Sequence, residues 1–294
     1  MKRLVAFGLT LSTIALFGPA AAEEPARSRE EDEQWARWND PAVQKHEPFQ
    51  IFDNVYYVGI DWVSAYLVTT PEGHVLIDAL FGDWADLALD NVRKLGFDPA
   101  DIRYVLVTHG HFDHAGGARR IQEVTGARVG MTEADWRLVE KSPGSGRARF
   151  EPPPRDLVIA DGDEIRLGDT TFRCYVTPGH TEGVLSLEFP VRDGDHSHRA
   201  FVFGGVGLNF EGVHRLESYL ASVDRILGLP GIEVHLPNHA VMGRVFERAE
   251  RLAERRPGEP HPFVDPDDFR ESLERWRARA EKKLAEERAS GSGS

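Results

Sequence analysis

The sequence predicts an αββα sandwich, an α/β domain of the α+β kind in which two packed sheets are covered by helices. Three observations carry that expectation. Residues 49–80 alternate in strand fashion and give way to helical segments. From Leu157 the same order restarts, strands first and helices after. The densest group of metal-competent side chains also follows an apolar, β-branched run directly, where the rim of a sheet would display it. With 294 residues and 41% hydrophobic content, the chain can bury one large core.

Each element has its own signal. Lys2-Arg3, an apolar run from Leu4 to Phe17 and the small residues Ala20 to Ala22 read as a secretory signal peptide, residues 1–22. Its core is too short for a membrane span. An exported bacterial protein is expected, periplasmic or secreted, with no membrane attachment after cleavage. Residues 23–48 form a charged N-terminal arm carrying Trp35 and Trp38, placed to fold over the body. The main domain is expected over 49–260, opening with strands around turns at Asp53-Asn54 and Pro71-Glu72-Gly73. A helix spans Asp83 to Leu95 and stops at Gly96, a strand covers Tyr104 to Val107, and another helix runs from Gly116 to Thr125. Lys141 to Arg155, rich in Pro, Gly and Arg, reads as a mobile loop and the junction between the halves.

The second half brings strands, a Gly-rich turn at 204–207, a helix from Leu216 to Leu227 and a strand running up to His239. Beyond Arg244 the chain is mostly helical. A C-terminal helix over 261–288 carries acids at its positive end and the stripe Phe269, Leu273, Trp276, Ala280 and Leu284. That stripe packs on the domain or forms a dimer interface, so a monomer or weak homodimer is expected. Residues 289–294 read as a disordered tail.

Charge excludes one class of partner. The net charge is −13, and loss of Lys2 and Arg3 with the leader makes it −15. Basic residues are interleaved with acids, as in Arg275, Arg277 and Arg279 beside Glu271, Glu274 and Glu281. No basic patch for nucleic acid is visible, and the expected partner is a small-molecule substrate. The single cysteine, Cys174, leaves no intramolecular disulfide and reads as a small buried hydrophobe.

The chemistry concentrates in Thr108-His-Gly-His-Phe-Asp-His-Ala-Gly-Gly117. His109 and His111 are two apart, so on an extended segment they point the same way and can grip one ion. Asp113 and His114 follow where the chain turns towards a helix, and should reach a neighbouring position. Two ligand pairs predict two metals, about 3.5–4 Å apart if they share a hydroxide. Each ion still needs a ligand from downstream. His180, presented by the Pro178-Gly179 turn, and His239, just past a short apolar segment, are the candidates. His74, His196, His198, His214, His235 and His261 keep a structural or solvent-exposed reading; His235 rivals His239 but lies within a strand. Asp78, ending the Val75-Leu-Ile77 strand, is either a turn cap or the group that fixes a ligand imidazole.

These residues resemble the metallo-β-lactamase superfamily through its His-x-His-x-Asp-His motif, and its third β-lactamase subclass most of all. The resemblance runs from about Pro48 to Met242. Phe49 to Gly59 and Tyr66 to Asp78 look like the subclass's opening hairpins, and Thr177-Pro-Gly-His-Thr-Glu-Gly183 like its third-histidine segment. It implies the αββα fold with its metal site at one edge of the paired sheets. It further implies two Zn2+ per chain, the first on His109, His111 and His180, the second on Asp113, His114 and His239. The implied activity is that of a zinc hydrolase opening a cyclic amide, a β-lactam foremost, with Asp113 orienting the attacking water and shuttling its proton. Trp62, Ser64, Phe112 and Asn209 would line the substrate site. Other subclasses place a cysteine at the second zinc; Cys174 lies in a strand instead.

The chain departs from the family pattern twice. Many of its hydrolases bridge both metals with an aspartate after a Phe/Val-rich strand; here Ala200 to Phe203 ends in Gly204-Gly-Val-Gly207. That argues against glyoxalase-II-like thioesterases and bridged lactonases. The β-lactamase subclass typically has a serine nearby for the antibiotic's carboxylate, where this chain has Val206 or a glycine, with Asn209 as the nearest polar substitute. The alternatives are a hydrolase of lactones, esters or another carbonyl compound, and an exported metal-binding protein without catalysis.

Overall fold

The computed structural model describes residues 28–291; the expected signal peptide, residues 23–27 of the arm and residues 292–294 lie outside them. The arm is helical, with α1 (Arg29–Trp38) and α2 (Pro41–Gln44). A capping box starts it: Ser28 Oγ accepts from Glu31 N at 3.2 Å, and the Glu31 carboxylate accepts from Ser28 N at 2.8 Å. There follow β1 (Phe49–Phe52), β2 (Val55–Tyr57), β3 (Tyr66–Thr70), β4 (Gly73–Ile77), α3 (Trp84–Lys94), β5 (Ile102–Leu106), α4 (Phe112–Ala115), α5 (Ala118–Thr125), β6 (Arg128–Thr132), α6 (Glu133–Lys141) and β7 (Leu157–Ile159). The second half holds β8 (Glu164–Leu167), β9 (Thr170–Val176), β10 (Leu185–Asp193), β11 (His196–Val202), α7 (Val213–Leu227), β12 (Val234–His235), α8 (Val245–Ala253) and α9 (Pro266–Gly291).

Strands β1 to β7 make a seven-stranded sheet in sequence order, and the other five make a second sheet in the order β12-β11-β10-β9-β8. Three apolar layers result. Ile51, Val68, Ile77, Phe172, Leu187 and Val202 fill the space between the sheets. Leu76, Leu89, Val105, Ile121, Val129 and Trp136 lie between the first sheet and its helices. Phe203, Leu216, Tyr219, Leu273 and Trp276 form the third layer, under α7 and α9. This is the αββα sandwich expected of the sequence, and the stripe on α9 is buried against its own domain.

Several boundaries differ from the sequence reading for identifiable reasons. β7 pairs in parallel with β6, so the passage between sheets falls at residues 160–163 rather than within 141–155. Helix α6 was not anticipated; its signal was Thr132, whose Oγ accepts from Asp135 N at 3.3 Å as an N-cap. Helix α7 starts at Val213, three residues before Leu216, because Gly212 at φ 110° ends the preceding loop. The strand towards His239 is only Val234–His235, since Pro237 has no N–H to give a ladder. Helix α9 continues through Gly291, so residues 289–291 are helical rather than a tail.

Candidate metal centre

The parallel run β4-β5-β6 sets the site. Asp78, Thr108 and Thr132 stand at or just past the carboxyl ends of these neighbouring strands, the end at which open α/β sheets place their ligands. From the second sheet, His180 follows β9, Gly204 follows β11 and His239 follows β12. Hydrogen bonds sew the two rims together. Leu185 N donates to Thr108 O at 2.7 Å, and Ser64 N donates to Asn238 O at 3.0 Å. Thr132 Oγ1 donates to Gly183 O at 2.6 Å, and Thr181 Oγ1 to Asp135 Oδ2 at 3.1 Å. Gly110 packs against the same helix, where a Cβ would lie 3.2 Å from Asp135 O, so the capped start of α6 sits between the His109–His111 segment and the His180 turn. Sequence reading missed this role, and only the N-cap pattern at Thr132 hinted at it.

All six sequence-predicted donors converge. The ligand atoms of His109, His111 and His180 lie within 4.8 Å of one another, as do those of His109, Asp113 and His114. His239 joins the second group, its Nε2 being 3.2 Å from His114 Nε2 and 3.6 Å from Asp113 Oδ2. His180 Nε2 and His109 Nε2 are 3.1 Å apart.

The outer nitrogens of these rings decide what the inner ones can do. His180 Nδ1 donates to Gly207 O at 2.8 Å, and His239 Nδ1 to Trp62 O at 3.1 Å. His114 Nδ1 donates to Asp78 Oδ2 at 2.7 Å, and His109 Nδ1 meets Thr108 Oγ1 at 3.3 Å. With the proton on Nδ1, a neutral ring turns the Nε2 lone pair inward. Facing lone pairs about 3 Å apart repel unless a cation lies between them. Five imidazole nitrogens, those of His109, His114, His180 and His239 braced from behind, and one carboxylate make a donor set that fits zinc.

Electrostatics keep the donors in ligating form. Burial pushes His180 down to about 3 and His239 to about 4, and neighbouring histidines add to the effect. Burial likewise holds His109 well below the ordinary imidazole value and lowers His111. Burial would raise Asp113, but His114, His239 and His111 outweigh it and keep the carboxylate ionised. His114 is the exception: burial opposes its charge, yet Asp113 and Asp78 raise it to about 10 in the metal-free protein.

The donors open into a cavity of about 850 Å³. Trp62, Phe112 and Asn209 line it as anticipated, joined by Trp38 of the arm, whose ring stacks on Trp62 at 4.0 Å. Ser64 does not reach it. That residue is 1% exposed, and its backbone N–H donates to Asn238 O at 3.0 Å beneath the floor. No side chain fits at Gly204, where a Cβ would lie 2.1 Å from Leu185 O. His235 is buried in β12 between Phe269 and Trp276, away from the donors. Cys174 is buried within β9, with its thiol pushed up to about 12 by burial.

Residues 59–197 match the family model described as the metallo-beta-lactamase superfamily. Among solved structures, the chain is similar to BJP-1, a subclass B3 metallo-beta-lactamase of Bradyrhizobium japonicum, at 31% identity and a TM-score of 0.77, covering 84% of this chain and 97% of that one. FEZ-1 from Legionella gormanii gives 26% and 0.78, over 85% and 99%. Among curated proteins, a hydroxyacylglutathione hydrolase of Cereibacter sphaeroides is 32% identical over 126 residues, 43% of this chain and 44% of that protein. One from Pseudomonas putida is 34% identical over 128 residues, 43% of each. The chain thus spans less than half the length of these two curated relatives, but nearly the whole of the structural ones.

Proposed function

The chain belongs to the metallo-β-lactamase superfamily, and from that premise we propose that it is an exported, periplasmic dinuclear zinc hydrolase that opens the cyclic amide of a β-lactam. One observation carries the hydrolase reading. Two adjoining donor groups, with the imidazoles of His109, His114, His180 and His239 braced through Nδ1, face an open cavity rather than a closed structural site. His109, His111 and His180 would hold one zinc, and Asp113, His114 and His239 the other. Bound zinc supplies a Lewis acid and, at neutral pH, a hydroxide nucleophile.

The protein's own residues supply the rest. Asp113, kept ionised by the surrounding imidazoles, would orient the attacking water. Trp62 and Phe112 offer an apolar wall to the substrate's ring, and Asn209 a polar contact opposite. The β-lactam assignment is supported by likeness over nearly the full length of the subclass B3 structures. The glycine at the end of β11 supports it too, since Gly204 offers no carboxylate to the centre and leaves no room for one.

A second reading, hydrolysis of a thioester, lactone or ester, is favoured by the curated relatives, which are named hydroxyacylglutathione hydrolases. Assay of the purified, zinc-loaded protein against a chromogenic cephalosporin, a carbapenem and a hydroxyacyl thioester of glutathione separates the two. Cephalosporin turnover abolished by a chelator and restored by zinc is the expected result. Thioester turnover alone would replace the first reading with the second.

A further inference from the structure

Among the described residues, the cavity over the metal centre holds one cationic side chain besides its histidines. Arg279, from α9, lines it beside Leu208 and Asn209. Among the described residues Asp113 is the one carboxylate lining the cavity, and it belongs to the donor set. The neighbouring arginines on α9 are spoken for: Arg275 pairs with Glu271, and Arg277 with Asp224 and Glu281. Arg279 has no carboxylate within ion-pair distance among the described residues, in a chain of net charge −13. An unpaired cation in a cavity of an acidic protein focuses a local positive field on whatever enters.

Its place is built rather than incidental. Lys283, one helical turn on and on the same face of α9, donates to Leu208 O at 2.9 Å and to Phe210 O, pinning that face to the loop after β11. Trp276 and Ala280, which flank Arg279 on the helix surface, are anchored in the core. Arg279 also acts electrostatically on the buried Tyr219, whose hydroxyl donates to Val206 O at 3.2 Å. The guanidinium therefore stands at the 206–209 wall. Val206, Gly207 and Leu208 contribute no side-chain donor there.

Building on the hydrolase reading, we infer that Arg279 holds an anionic group of the substrate, so that the enzyme selects carbonyl compounds bearing a carboxylate on the side facing the 206–209 wall. The planar guanidinium suits a carboxylate in paired hydrogen bonds. It is a specificity residue and touches none of the bonds that break.

Thiols of matched length test this without turnover. The zinc-loaded protein is titrated calorimetrically with 3-mercaptopropionate and 4-mercaptobutyrate, and with the corresponding uncharged carboxamides. The acid should bind tighter than its amide, and Arg279→Ala should cut that advantage about three- to tenfold. Arg279→Lys should restore part of it, and added salt should erode it in the wild type. An acid-to-amide ratio equal in wild type and Arg279→Ala overturns the assignment. Failure of the hydrolase reading has a different signature: neither acid nor amide binds the wild type, with or without zinc, and the inference then falls with it. The position is exposed on a helix and alanine is the best helix former, so the variant folds.

Discussion

Replacing Asp78 by asparagine should weaken the second metal position while leaving the fold intact. Asp78 is 1% exposed and accepts three hydrogen bonds, from Thr108 N at 2.7 Å, Thr108 Oγ1 at 2.9 Å and His114 Nδ1 at 2.7 Å. Asparagine has the same shape and tolerates the φ of 63° found here, so the backbone keeps its path. The amide cannot satisfy both sides. If its oxygen keeps Thr108 N–H, its NH2 faces His114 Nδ1–H; if it flips, the NH2 faces Thr108 N–H instead. His114 escapes the first clash only by moving its proton to Nε2, which removes the lone pair aimed into the site. Outer partners of this kind are worth about 10- to 100-fold in metal affinity. Loss of the charge-assisted bonds should also cost the metal-free protein roughly 3 kcal/mol. Competition with a chelating dye would read stepwise zinc affinity, and urea titration would read stability. A folded Asp78→Asn protein binding its second zinc with wild-type affinity would refute the reasoning.

Three further outcomes are expected. His114→Ala should retain one tightly bound zinc per chain and lose turnover by roughly 100-fold or more; full metal content with unchanged activity would sink the two-metal assignment. In the metal-free protein His114 is raised to about 10 from an ordinary 6.5, so its contribution to stability is complete below pH 6.5 and lost as pH rises towards 10. Zinc must displace that proton, so binding at pH 8 should release about one proton from this residue, read as a dependence of calorimetric heat on buffer ionisation enthalpy. His235 has the opposite sign. Burial pushes it down to about 3, so above pH 6.5 it costs nothing, and stability falls with pH from there towards 3 as the unfolded chain is protonated first. His235→Leu also removes two buried nitrogens without partners; it should flatten the acid limb by a few kcal/mol, and an unchanged urea midpoint between pH 7 and 4 would contradict this.

What could be read in the sequence was what depends on local spacing. The pairing of His109 with His111 and the offset of Asp113 and His114 follow from a strand end running into α4, which a few consecutive residues specify. His180 and His239 were legible because turn-forming residues follow strands there. Ser64 was misplaced because sequence gives the alternation of strand faces but not which face meets the cavity. The brace from Asp135 and the cation at Arg279 were invisible for another reason. Each depends on where a helix distant in sequence lands, and no pattern in α6 or α9 names its partner.

The turn after β4 shows how packing converts such distant contacts into a rigid site. Asp78 and Leu80 hold φ values of 63° and 55°, left-handed conformations that cost of order 1–3 kcal/mol each outside glycine. They persist because the turn is over-determined. Asp78 N donates to Leu106 O, Ala79 N to His114 O at 2.9 Å, and Gly117 N to Leu80 O at 2.9 Å. Residues 78–80 therefore grip both ends of the segment that carries Asp113 and His114, through backbone as well as through the Asp78 carboxylate. At Gly117 the approach is so close that a Cβ would lie 2.2 Å from Ala79 O. The Gly116-Gly117 pair that closes the motif is thus a packing requirement of the strained turn, and the turn in turn fixes the angle at which His114 meets His239.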